Sequence, residues 1–243
     1  MKNQYFGDIN DYRKYGLLRL IAMKTGLKIG ICWMLTPDDG RTDGNKITYL
    51  SQPQYWRGYD PILYDFLKYC IYELRVREVG NIENERFLPS CVFHSAAVSD
   101  DPICRSQYFN DFKRLVSDCD LLFFDADNGM AVKSKPYGRK GSSKYLYWDE
   151  AKELYNLGFS LLVFQYHRRM SYNTFINRLK SEFQSNIGVG PSYFYRTPYV
   201  TLVLLAHNRH RIRFKEANKS VETLWRGQIF IIPCKDKLVT QSG

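Results

Sequence analysis

The alternation of apolar and polar positions divides the chain into short apolar runs and longer amphipathic stretches. Residues 29–35, 121–125 and 160–165 place large apolar side chains at nearly consecutive positions. A run that is apolar on both faces reads as the buried interior of a parallel sheet, so three central strands are predicted there, with a shorter one over 91–93. Between these runs, apolar residues recur at helical spacing. Leu17, Leu18, Leu20, Ile21 and Met23 mark a helix within 5–27, capped by Asp8 or Asn10, with Gly16 weighing against one unbroken helix. Leu63, Phe66, Leu67, Cys70, Ile71 and Leu74 mark a second helix over 60–80, opened by Asp60-Pro61. Helices are also predicted over 106–116, over 145–157 with Gly158 closing it, and over 171–183. Toward the C-terminus, 199–205 and 212–215 read as an antiparallel strand pair and 229–232 as a short last strand. Strands alternating with helices predict an α/β fold: a Rossmann-like, mostly parallel sheet with a C-terminal antiparallel hairpin. No repeat or linker interrupts the 243 residues, so one domain over 1–243 is expected.

The run at 121–124 leads straight into Asp125-Ala126-Asp127-Asn128-Gly129. Ligands of open α/β sheets bind beyond the carboxyl ends of the strands, which is where Asp125, Asp127 and Asn128 are expected. The plain alternative is an Asx turn closed by Gly129 at positive φ. The first strand runs into a loop carrying Thr36, Asp38, Asp39 and Gly40. Its carboxylates suit a cation, a ribose or a positively charged ligand better than a pyrophosphate. Asp11 and Lys14 lie three apart on one helical face, where a surface ion pair is the plain reading.

Composition adds a partner. The formal charge is +10 and 19 residues are Tyr; excess cations for phosphates and rings for bases suit a nucleic acid. The basic residues concentrate after the acidic turn, at Lys133, Lys135, Arg139, Lys140 and Lys144, and again at Arg168 and Arg169. With Tyr137, Tyr145 and Tyr166 interleaved, they are expected to form a basic rim around Asp125, the first group on a mobile loop. His167 reads as a base, a phosphate contact or a polar strand end. The six cysteines show no C-x-x-C spacing, which argues against a zinc or redox motif. Neither a signal peptide nor a membrane span is expected, and a cytoplasmic protein with no membrane partner follows.

The Gly7, Asp11, Lys14 pattern ahead of the first strand, and Asp125 at a strand end followed by helix, strand and hairpin, resemble the AdoMet-dependent methyltransferase fold. More narrowly they resemble the ribosomal RNA adenine-N6 methyltransferases. That family carries Asp-Pro-Pro-Tyr at the strand end; this chain has Asp-Ala-Asp-Asn. The resemblance implies S-adenosylmethionine held by Asp11, Thr36, Asp38, Asp39 and Gly40. It also implies Asp125 accepting from an adenine amino group, with Lys14, Asp127 and Asn128 beside it. The Tyr-Phe-Gly-Asp start at 5–8 and the Phe-Phe-Asp-Ala-Asp-Asn-Gly strand end at 123–129 also resemble uncharacterised bacterial and phage proteins.

Three activities remain open on these residues. One is methyl transfer to DNA or RNA at Asp125. Another is a Mg²⁺-dependent nuclease or phosphodiesterase using Asp125 and Asp127, with Asp8, Asp11 or Asp38. The last is non-catalytic binding on a degenerate methyltransferase-like fold.

Overall fold

The computed structural model describes residues 1–38, 40, 44–167 and 169–234. In chain order the described residues form α1 (Ile9–Thr25), β1 (Ile29–Cys32), α2 (Pro53–Trp56), α3 (Pro61–Lys68), β2 (Cys91–His94), α4 (Pro102–Leu115) and β3 (Leu121–Phe124). They continue with α5 (Trp148–Asn156), β4 (Ser160–Tyr166), α6 (Tyr172–Ile187), β5 (Tyr193–Arg196), β6 (Val200–Leu205), α7 (Arg211–Leu224) and β7 (Phe230–Pro233). The strands make one mixed sheet in the order β2-β1-β3-β4-β6-β5-β7. β2, β1, β3 and β4 run parallel. β6 is antiparallel to β4, β5 to β6 and β7 to β5. The fold is therefore α/β, parallel in its N-terminal half and antiparallel toward the C-terminus.

Side chains alternate across the central strands, and each set has its own core. Ile29, Ile31, Leu121, Phe123, Leu162 and Phe164 pack with α1, α3 and α7. Leu122, Phe124, Leu161 and Val163 pack with α4, α5 and α6 on the other face. Apolar burial on both faces of β3 is what its four-residue apolar run requires.

Several expected boundaries shift. β1 stops at Cys32 instead of continuing to 35, because Met34 turns through φ 49°; Leu35 keeps one parallel bridge to Ala97. The stretch over 60–80 is helical only to Lys68, continues as a π turn over Tyr69–Glu73, and breaks at Arg75, φ 54°. α5 starts at Trp148, since Leu146 first bridges Met130. The predicted strand at 212–215 is a helix: Phe214, Ala217 and Val221 recur at helical spacing and bury one face of α7. The C-terminal hairpin is β5 with β6, so the partner of 199–205 precedes it in sequence. Gly16 does not break α1. A Cβ there would lie 1.9 Å from Trp225 Cζ2, so the glycine is where α1 receives that indole.

Candidate functional site

β1 lies between β2 and β3, so the chain leaves β1 to one side and returns on the other. The α3 connection lies on one face of the sheet and α4 on the other. Connections that depart to opposite faces leave a crevice beyond the strand ends, the usual ligand position in this architecture. Thr36 after β1 and Asp127 after β3 meet there: Thr36 Oγ1 donates to Asp127 Oδ2 at 2.7 Å.

The N-terminal segment fills this crevice. The Met1 amino nitrogen donates to Asp125 O at 2.8 Å and to Met34 O at 3.2 Å, and lies 2.8 Å from Asp127 Oδ1. Thr36 N donates to Met1 O, and Gln4 N donates to Asp38 Oδ1 at 3.2 Å.

Beside the crevice, α1 delivers two charged side chains to the end of β3. Asp8 caps α1, its Oδ1 accepting from Asn10 N at 2.8 Å. One turn on, Lys14 Nζ bonds both Asp11 Oδ1 and Asp125 Oδ2 at 2.6 Å. Tyr15 donates its hydroxyl to Asp11 Oδ2 at 3.1 Å. Lys14, Asp11 and Asp125 are all buried, so the expected surface pair is an interior network. Burial pushes the Asp11 carboxyl up to about 6, with the charge of Asp125 adding and Lys14 opposing. Burial alone would lower the Lys14 ammonium, but Asp11 and Asp125 outweigh it and hold it above the ordinary lysine range.

This network floors a cavity of about 810 Å³. Its lining includes Asp8, Asp11, Lys14, Asp125, Asp127 and Asn128, together with the rings of Tyr5, Tyr145, Phe164, Tyr166, His167 and Tyr199. Gly129 holds the acidic turn in the expected left-handed conformation, φ 75°. A Cβ there would meet Gln165 Oε1 at 2.3 Å, and that same oxygen accepts from Met130 N at 2.9 Å. The turn is thus tied to the end of β4. His167 lies in the wall with Nε2 against Thr201 Oγ1 at 2.8 Å, and burial, with Arg196 nearby, lowers its pKa.

Of the residues singled out in the sequence, Asp11, Lys14, Asp125, Asp127 and Asn128 come together in the cavity. Thr36 joins them through Asp127, buried below the surface. Asp38 and Gly40 are exposed and do not line it, and Asp39 and Arg168 lie outside the described residues. The basic residues stand apart from it. Lys133, Lys135, Arg139, Lys140 and Arg169 are exposed and outside the cavity lining, while Lys144 is half-buried and contributes its carbonyl to Asn128 N.

The 133–144 stretch, expected to be mobile, is pinned at its end. The Asp100 carboxylate accepts from Gly141 N at 2.7 Å and Ser143 N at 2.6 Å. Fully buried Arg105 bonds Ser142 O, Tyr145 O and Glu150. Among the lining residues without a site signal in the sequence are Lys46 and Tyr199. Lys46 gave no signal at all, and Tyr199 read as the start of a strand although Pro198 beside it marks a turn.

Among the described residues no group of three or more His, Cys, Asp or Glu side chains is placed to hold a metal ion, and no helix is long and apolar enough to cross a membrane. No protein-family model, curated protein or solved structure matches the chain.

Proposed function

We propose that the protein binds nucleic acid and takes a single base into the cavity, its exocyclic amino group directed at Asp125 and Asn128. The observation that carries this reading is the contrast between the cavity and the rest of the surface. The lining gathers four carboxylates, Asp8, Asp11, Asp125 and Asp127, against three cations, Lys14, Lys46 and the Met1 amino group, in a chain of net charge +10. Such a floor receives hydrogen-bond donors and repels phosphate, while the basic exterior attracts a polyanion. Tyrosine walls offer flat faces for a base, and a base leaving its strand is the substrate such a pocket fits.

The resemblance to the adenine-N6 methyltransferases points the same way for Asp125, but the described residues beyond β1 do not fit S-adenosylmethionine. Thr36 is committed to Asp127 and to the Met1 carbonyl, Asp38 accepts from the Gln4 amide, and Met1 occupies the crevice itself. No step through that cofactor follows. A Mg²⁺ site at Asp125 and Asp127 meets the same obstacle: Lys14 binds one carboxylate, and Thr36 and the Met1 amino group engage the other. The best-supported reading is base recognition on a methyltransferase-like scaffold.

The test is a salt titration of labelled single-stranded and duplex oligonucleotides, DNA and RNA. Single strands are expected to bind more tightly than duplexes, because no pairing energy opposes base capture, and binding should weaken steeply with salt. Absence of binding to either nucleic acid at about 50 mM salt overturns the reading.

A further inference from the structure

Two cavity-lining residues meet in a contact that the floor network does not explain. Lys46 lies in the connection after β1 and Tyr199 in the turn between β5 and β6, so they approach from separate walls. The Lys46 ammonium sits 3.2 Å from the centroid of the Tyr199 ring. Both side chains are exposed, yet both backbones are fixed. Lys46 N donates to Asp8 Oδ2 at 3.0 Å, and Lys46 O accepts from Ile9 N, which ties the lysine to the first turn of α1. The Tyr199 carbonyl accepts from His167 N, and Thr197 N donates to Val200 O, which ties the tyrosine to the end of β4 and to its own turn.

We infer that Lys46 and Tyr199 form a nucleotide clamp at the rim of the cavity, with Lys46 binding the phosphate of the captured nucleotide and Tyr199 stacking on its base. This inference rests on the base-binding role of the cavity. The chemistry follows from the two partners present. A cation–π contact at an exposed site is weak, so a phosphate displaces it readily with a charge-assisted hydrogen bond. Lys46 is the lysine of the cavity lining that lies outside the buried Asp11–Lys14–Asp125 network. Once the ammonium leaves, the face of Tyr199 is open to a base, and any base can stack there. Asp8 stands close to Lys46 and opposes a phosphate, but it caps α1, where the helix dipole offsets its charge. The clamp assigns backbone binding to a side of the cavity formed by α1 and the β5–β6 turn. The basic stretch at 133–144 supplies none of the cationic side chains there.

The experiment compares adenosine with adenosine 5′-monophosphate, by calorimetric titration of wild type, Lys46→Ala, Tyr199→Ala, Tyr199→Phe and an Arg139→Ala/Lys140→Ala pair. Wild type is expected to bind the monophosphate more tightly than the nucleoside. Lys46→Ala should lower monophosphate affinity about tenfold without weakening adenosine, and it should reduce the salt slope for a single-stranded oligonucleotide by roughly 0.7. Tyr199→Ala should weaken both ligands about tenfold, and Tyr199→Phe should restore both. The Arg139/Lys140 pair should leave the ratio of the two ligands as in wild type. Melting temperatures establish that each variant is folded, which the exposure of both side chains favours. If wild type binds adenosine but Lys46→Ala keeps the full preference for the monophosphate, the clamp is wrong and the base-binding cavity stands. If wild type binds neither ligand, the cavity reading falls and the clamp falls with it.

Discussion

Lys14 on α1 places its ammonium 2.6 Å from the Asp125 carboxylate at the end of β3, 111 residues away in sequence. Each is almost fully buried. Because Lys14 also binds Asp11, removing the lysine leaves two carboxylates close together with no cation between them. Breaking a buried ion pair from one side costs about 3–5 kcal/mol. Lys14→Met is therefore expected to lose about that much in urea unfolding. A loss below about 1 kcal/mol would show that the network is not buried in solution.

Asp11 gives the network a pH signature. Its carboxyl is raised from 3.8 to about 6 by burial and by the charge of Asp125. Between those values the folded state binds more protons than the unfolded one, so the contribution of Asp11 to stability falls as pH rises through about 4 to 6 and stays unfavourable above. Asp11→Asn removes this term. Relative to wild type, the variant should gain stability as pH rises from about 4 to 7, measured by urea unfolding at each pH. Parallel pH profiles would contradict the raised carboxyl. Asp125→Asn should lower the Asp11 titration midpoint, read from its side-chain carbonyl carbon by NMR.

The anchored basic stretch gives a local test. Burial would raise the Asp100 carboxyl, but the Ser143 and Gly141 amides hold it down to about 2. Its contribution is present above pH 3.8 and fades as pH falls toward 2. Asp100→Ala should speed amide exchange at Gly141 and Ser143 by an order of magnitude or more, as two charge-assisted hydrogen bonds are lost. Unchanged exchange would mean that Arg105 alone fixes the turn.

Filling the crevice with the chain's own residues predicts silence toward two ligands. Neither S-adenosylmethionine nor Mg²⁺ should raise the melting temperature. A ligand at about 100 times its dissociation constant would add about 2.7 kcal/mol and be plainly visible. A clear rise with S-adenosylmethionine would mean that residues 1–4 leave the crevice, and would restore methyl transfer as the activity.

The strands and the acidic turn were legible because their signals are local. Leu121–Phe124 is apolar on both faces, and Asp125-Ala126-Asp127-Asn128-Gly129 is a turn by composition alone. The partnership of Asp11, Lys14 and Asp125 was legible only in part: helical spacing pairs the first two, while their burial depends on how α1 packs. Lys46 and Tyr199 were invisible, because their meeting depends on two turns that only the sheet order brings together. Residues 212–215 alone are too few to show a helical period, which Phe214, Ala217 and Val221 complete along α7.

Capture of a base through its amino group is read from a calorimetric titration of wild type with adenosine and with purine riboside. The two share a ribose and ring system and differ only at the purine 6-position, where adenosine carries an amino donor and purine riboside a hydrogen. A site built around carboxylate acceptors should bind adenosine at least tenfold more tightly, because purine riboside carries only hydrogen at the 6-position and offers Asp125 no donor there. Equal affinity, or a preference for purine riboside, would contradict capture through the amino group.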